Sequence, residues 1–283
     1  MNYRHAFHAG NHADVLKHVL LTRVLDYMRQ KDKPFAVLDT HAGAGVYDLA
    51  GTEAFKTGEW HGGIERLLST PMPDDLAPLF SDFRDVIAKL NRDGTLRRYP
   101  GSPEIAHRML RRDDRLILNE LHPEEAGKLK AHFLADPQVK ITVLDAGQSV
   151  KAELPFRERR GLVLIDPAFE MRDEAERVLR IVKQILQRMA ATVVMVWYPI
   201  KSEDDAKTFR EAFAAFPANG ILATELRVRE PFKEGGLAGS GMVIINPPHT
   251  LHAEAQRILP FLGRVLGTGK WGRGSVNWLS PPR

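Results

Sequence analysis

The feature that most constrains this chain is a repeated alternation of short, apolar, β-rich runs with stretches of helical periodicity. The runs fall at 35–39, 115–119, 140–144, 161–165, 192–197, 222–228 and 242–246. Between them, apolar residues three and four apart predict helices over 13–29, 103–110, 123–135, 173–189, 203–215 and 253–266. Val15, Leu16, Val19, Leu20 and Val24 form the clearest stripe. Strand alternating with helix predicts an α/β chain, with a mainly parallel sheet covered by helices on both faces. Two places break the rhythm. No run between 39 and 115 reads as a strand, a gap far longer than an ordinary crossover. Short helical stretches at 54–60, 64–68 and 76–90, separated by Pro71, Pro73 and Pro78, predict a helical subdomain inserted at 49–98. The main domain is then 1–48 and 99–283. The last two runs are joined by a short link holding Gly235, Gly236, Gly239 and Gly241, which leaves no room for a crossover helix. They therefore pair antiparallel. The expected sheet has seven strands, mostly parallel, with the last antiparallel.

In such a sheet the ligand lies beyond the carboxyl ends of the strands. After the first run comes Asp39-Thr40-His41-Ala42-Gly43-Ala44-Gly45, where Gly43 and Gly45 let backbone pass close to a ligand. A simple tight turn is the bland reading, because the third glycine of a dinucleotide fingerprint is missing. After the second comes Glu120, placed to grip ribose hydroxyls. After the third comes Asp145-Ala146-Gly147, whose carboxylate and backbone amide could read an adenine edge. After the fourth comes Asp166-Pro167-Ala168-Phe169. Any one polar strand end is ordinary; the four in succession describe a nucleoside groove next to a methyl acceptor.

The fourth end is close to the Asp-Pro-Pro-(Phe/Tyr) signature of enzymes that methylate exocyclic amino groups. Such an amino group is a poor nucleophile, because its lone pair is conjugated with the ring. A carboxylate (Asp166) and a carbonyl (Pro167) can accept its two hydrogens, and an aromatic ring (Phe169) can stack on the extruded base. The competing reading is a common Asp-Pro turn with Phe169 in the core. Asn246-Pro247-Pro248 spells the signature better, but it follows an antiparallel strand and lacks the aromatic, so it reads as a structural turn. A parallel sheet that finishes in an antiparallel pair is the architecture of class I S-adenosylmethionine-dependent methyltransferases (Rossmann-like).

Composition narrows the alternatives. The chain has no cysteine, which excludes disulfides, thiolate metal sites and cysteine nucleophiles. No charged-then-apolar leader opens it and no apolar run is long enough to span a bilayer, so a soluble cytoplasmic protein without membrane partners is expected. The net charge of +4 and pI near 9.3 suit a polyanion partner. His8 and His12, four apart, are the one metal-like pair, but Gly10-Asn11 places a helix start between them and a third ligand is missing, so no metal is expected. The dense run 1–18 reads as a lid over cofactor or substrate, or more blandly as a solvated arm. Arg4, Lys17, Arg97 and Arg98 are candidate phosphate contacts, although a solvated face is the commoner explanation for each.

Residues 3–18 (Tyr3-Arg4-His5 through Lys17-His18), 38–45, Tyr99-Pro100-Gly101-Ser102-Pro103, 166–170, Trp197-Tyr198-Pro199-Ile200 and 245–248 resemble the RlmJ family over essentially the whole chain. These are bacterial 23S ribosomal RNA adenine-N6-methyltransferases, named for the adenine at position 2030. The resemblance implies S-adenosylmethionine as methyl donor and in-line transfer to a flipped base. It implies that Lys17, His18, His41, Ser102, Glu120, Asp145, Ala146 and Asp166 line the donor site, with Gly43 and Gly45 beside them. Asp166 would accept the amino proton, and Tyr3 and Arg4 would meet the RNA, with Phe169 stacking on the base. The expected partner is 23S RNA, naked or in an early assembly intermediate, and the expected state is a monomer. Ala168 stands where the family has a second proline, and Ala146 where it has a glycine. Rival readings are amino methylation of DNA or protein, a nicotinamide-dependent oxidoreductase, and a non-catalytic RNA-binding protein. The oxidoreductase leaves Asp166–Phe169 unexplained, and the binding protein leaves the acidic strand ends unexplained.

Overall fold

The computed structural model describes residues 4–230 and 237–282. A 3-10 turn (His5–Phe7) leads into α1 (His12–Arg29), β1 (Ala36–Asp39) and β2 (Val46–Asp48). Then come α2 (Thr52–Thr57), a π-type turn (His61–Glu65), α3 (Arg66–Ser69), α4 (Ala77–Leu90) and β3 (Arg98–Pro100). The main α/β alternation follows: α5 (Ser102–Met109), β4 (Arg115–Asn119), α6 (Pro123–His132), β5 (Val139–Thr142), α7 (Ala146–Glu153), β6 (Gly161–Ile165) and α8 (Glu174–Arg188). β7 (Val193–Ile200), α9 (Glu203–Glu211), β8 (Ile221–Arg227), β9 (Gly239–Ile245), α10 (Leu251–Leu266) and β10 (Arg273–Ser280) close the chain.

One sheet runs in the order β10-β8-β9-β7-β6-β1-β4-β5. β1 lies at its centre, parallel to β4 and β6, with β5 and β7 parallel beyond them. β9 inserts antiparallel between β7 and β8. The seven expected strands are all present, but the sheet has an eighth: β10 pairs antiparallel with the edge of β8. Its weak signal has a physical cause. An edge strand covered on one side alternates polar and apolar residues, so Ser275 and Asn277 are exposed while Val276 and Trp278 pack on the core. Gly274 lets α10 lie directly on this strand, since a Cβ there would stand 2.2 Å from the Leu259 carbonyl oxygen.

Alternation within each central strand divides the core into two layers. In β6, Leu162 and Leu164 face the layer containing α1 and α10, while Val163 and Ile165 face α7 and α8. All five residues of β6 are buried. The helix α1 is buried along most of its length, and Asn11 caps it by accepting from the Ala13 and Asp14 amides, as the Gly10-Asn11 break predicts. Of the described residues of the 1–18 arm, 4–11 therefore stay outside the helix. The segment 49–98 enters and leaves through the β2–β3 pair, with Tyr47 opposite Tyr99 and Asp48 opposite Arg98. Its helix α4 buries Phe80, Phe83, Val86 and Ile87 in the same apolar cluster as α1 and α10. No helix among the described residues is long and apolar enough to cross a membrane.

Candidate active site

The carboxyl ends of β1, β4, β5 and β6 open onto a cleft of about 1260 Å3, walled on the other side by the start of α1. That is more than one mononucleoside-sized ligand needs. At the end of β1, Gly43 adopts the left-handed region (φ +62) and its N–H donates to Glu120 Oε2 at 2.7 Å. The other oxygen of Glu120 accepts from the His122 N–H at 2.7 Å. Burial pushes the Glu120 carboxyl up, partly opposed by these two hydrogen bonds. It retains lone pairs able to receive hydroxyl donors from the cleft. Asp145 caps α7 by accepting from the Gly147 amide at 2.9 Å, and Arg177 holds its second oxygen at 2.9 Å. Ala146, the first residue of α7, lines the cleft, and the first amides of a helix have no partner within it.

Asp166 lies where β6 ends, in the middle of the cleft wall, and its Oδ2 accepts from Lys17 Nζ. Lys17 is 4% exposed and its ammonium also sits 3.0 Å from Asp14 Oδ1. Burial alone would discharge this lysine, but Asp14 and then Asp166 hold its pKa above the usual range. Asp14 in turn accepts from the Gly10 amide at 2.8 Å and pairs with His5 Nε2 at 2.9 Å. Burial would raise its carboxyl, yet His5, Lys17 and His18 hold it well below the ordinary range. His18 is fully buried, with Nδ1 2.8 Å from the Tyr99 hydroxyl and Nε2 without a hydrogen-bond partner. Beyond Asp166 the backbone turns sharply: Phe169 has φ +50, a conformation that costs a bulky residue on the order of 1–3 kcal/mol. Its half-buried ring meets Trp197 (centroids 5.9 Å apart, 65°) and Phe209 (5.6 Å, 84°). The arrangement offers one fixed carboxylate, an adjacent carbonyl at Pro167 and an aromatic wall at one point of a groove suited to a nucleoside.

The cleft gathers Lys17, His18, His41, Gly43, Ser102, Glu120, Asp145, Ala146, Asp166, Pro167 and Phe169. It does not gather Gly45 or Arg4. Gly45 (φ +84) backs onto Leu129 and His132, and its carbonyl accepts from Gly101 N. Arg4 bridges Glu53 (3.1 Å) and Glu124 (3.8 Å). Tyr3 lies outside the described residues. Sequence reading passed over Asp14, Asp39, Arg177 and Trp197. Asp39 had a signal, since it too ends a strand with an acid. It is 2% exposed and accepts from the Ser102 hydroxyl at 2.6 Å and the His41 amide at 3.1 Å. Asn246, at the opposite end of β9, is spent on structure, donating to the carbonyls of Ala190 and Thr192 at 2.8 Å. Among the described residues no group of three His, Asp or Glu could hold a metal ion.

Two half-buried histidines and one buried aspartate contribute to the acid response of the fold. Burial pushes His12 and His41 down to about 4 from 6.5, and pushes Asp39 up to about 6 from 3.8. A histidine with a depressed folded value contributes stability above pH 6.5 that is lost as pH falls toward 4. That is about 3 kcal/mol for each. Asp39 works in the other sense, because the fold prefers its protonated form; acidification from 6 toward 3.8 adds about 3 kcal/mol. Two histidines outweigh one aspartate, and buried His18, also pushed down by burial, acts in the same sense, so the melting temperature is expected to fall between pH 6.5 and 4. A flat or rising melting profile over that window would contradict these assignments.

The sheet order, the antiparallel β9 and the cleft over the central strand ends define a class I S-adenosylmethionine-dependent methyltransferase. Its residues suit such a donor: buried polar atoms at the cleft, His12 Nε2 and His18 Nε2, lack hydrogen-bond partners, and Glu120 and Ala146 line the space. Residues 32–280 match the family model described as Ribosomal RNA large subunit methyltransferase D, RlmJ. The chain belongs to this RlmJ family. It is 42% identical over 286 residues to the Haemophilus influenzae protein named ribosomal RNA large subunit methyltransferase J, covering 99% of both chains. It is 40% identical over 281 residues to the Escherichia coli protein of the same name, again over 99% of both. A crystal structure of a Legionella pneumophila protein, 33% identical, superposes with a TM-score of 0.83 over 97% of this chain and 98% of that one.

Proposed function

We propose that this protein transfers a methyl group from S-adenosylmethionine to the exocyclic N6 of an adenine in 23S ribosomal RNA, acting as a monomer on naked RNA or an early assembly intermediate. Membership of a family named for large-subunit ribosomal RNA methylation supports the substrate. The observation that carries the chemistry is Asp166, fixed by buried Lys17 beside the Pro167 carbonyl and the Phe169 ring. The bound donor supplies an already activated methyl group, so the chain's work is positioning and electrostatics.

The target adenine leaves its stack at a cost of a few kcal/mol, and stacking on Phe169 offsets about 1–3 kcal/mol of it. Lys17 occupies Oδ2 of Asp166, so Oδ1 is the oxygen that accepts one amino N–H, while the Pro167 carbonyl accepts the other. Losing conjugation with the ring in this way makes the nitrogen lone pair available. Asp166 need not be a strong base beforehand, because the amino proton becomes acidic only as the new bond to nitrogen forms. Glu120 and the Ala146 amide hold the donor nucleoside, and His41, half-buried and neutral at physiological pH, lines the same wall without adding charge. The test is methylation of naked 23S RNA with a labelled donor, followed by mapping of the modified base. Label on the N6 of a single adenine is expected; label on another base, or in protein or DNA alone, would overturn the substrate assignment.

A further inference from the structure

Apart from the cleft, the described surface has a second concavity of about 480 Å3 beside the end of α4. It is lined by Lys89, Arg92, Arg97, Arg98 and Arg108, with Asp93 as its single acid. Five cations against one carboxylate is an excess of +4, equal to the net charge of the entire chain (40 basic and 36 acidic residues). The remaining residues of the chain therefore sum to no net charge.

A solvated basic face is the ordinary explanation for surface arginines, but two observations argue against it here. First, the loop that carries them is fixed. Asn91, 9% exposed, accepts from both the Arg97 and Arg98 amides at 2.9 Å and donates to the Ile87 and Arg98 carbonyls at 2.9 and 2.8 Å. One buried amide thus ties the end of α4 to β3 and holds the arginine backbones in place. Second, the charges are largely unspent. Arg108 pairs with Glu104, and Arg97 reaches Asp93 only at 4.0 Å. Lys89, Arg92 and Arg98 have no carboxylate within 4.0 Å among the described residues. Helix α5 has one residue on the cleft and one on the groove. Ser102 at the start of α5 lines the cleft and Arg108 near its end lines the groove, six residues and about 9 Å apart. That is the rise of about three stacked nucleotides.

We propose that this groove binds the phosphodiester backbone of the substrate RNA, outside the nucleotide that enters the cleft. Rigidly placed guanidinium groups suit bidentate phosphate contacts, which set affinity and register without reading sequence. The proposal rests on the RNA substrate assigned above, and the test separates the two. A variant carrying Lys89→Glu, Arg92→Glu and Arg97→Glu alters exposed side chains that do not line the cleft. Binding of a 23S RNA fragment is measured against salt concentration, alongside donor titration, thermal melting and turnover at saturating RNA. The RNA dissociation constant is expected to rise at least about tenfold, and the log–log salt slope to shrink by about 2. Donor affinity, melting and saturated turnover stay at wild-type values. A companion variant with Lys89→Arg, Arg92→Lys and Arg97→Lys keeps RNA binding. Equal RNA affinity and equal salt slope in wild type and the charge-reversed variant would overturn the groove. If the wild-type chain binds RNA through these residues yet labels no RNA base, the groove stands and the substrate assignment falls.

Discussion

Replacing Asp166 by alanine is expected to lower turnover at least about 10³-fold while leaving donor binding measurable. The carboxylate is the group beside Pro167 and Phe169 that can receive an amino proton, and Lys17 keeps it oriented through Oδ2. Alanine removes the acceptor and also leaves the Lys17 ammonium with Asp14 as its remaining partner. Asp166→Asn separates these effects. It preserves shape, but its amide is neutral and can present an N–H to the substrate amino group, so it too should be inactive. Single-turnover methylation of 23S RNA, with donor affinity taken from calorimetry, reads both quantities. Turnover within about tenfold of wild type in either variant would remove Asp166 from the chemistry.

The second large effect is on the fold. Asp14→Ala is expected to destabilise the protein by about 3–5 kcal/mol, because it removes the buried carboxylate on which His5 and the Gly10 amide converge and leaves the buried Lys17 ammonium with Asp166 alone. For a domain of this size that lowers the melting temperature by on the order of 10 °C. The mechanism makes a second demand. If part of the loss comes from the Lys17 charge, left with one carboxylate in place of two, adding Lys17→Met to Asp14→Ala should recover that part, giving a coupling energy of at least about 1 kcal/mol in a double-mutant cycle. Strictly additive losses would mean that Asp14 acts through the Gly10 and His5 contacts alone.

These two residues also show what could be read in the sequence. Asp166 was legible because it follows a fully apolar strand and precedes Pro167 and Phe169, so local pattern and chemistry agree. The central strands and α1 were legible for the same reason: β4 and β6 run at their expected bounds, since burial on both faces leaves continuous apolar runs. Asp14 was not legible: its partners His5, Gly10 and Lys17 are near in sequence, but its burial is set by how α1 docks on the sheet. Lys17 and Asp166 are 149 residues apart and nothing local marks them as a pair. The helix α7 was missed because Gly147 and Ser149 lower its helix propensity; the Asp145 cap and burial of Val150 supply what propensity does not. β2 and β3 span three residues each, too few to show a period.

The eighth strand has a consequence for how the protein is made. β1, at the centre of the sheet, is among the first elements synthesised, and β10 is the last. Until residues 273–280 have left the ribosome, β8 keeps a seven-residue row of unpaired amides and carbonyls along an otherwise buried strand. Such a row recruits any strand it meets. Chains cut short by premature termination or by proteolysis of the tail should therefore associate edge to edge, although every cleft residue is still present in them. The tail thus covers an edge that would otherwise be open to other strands.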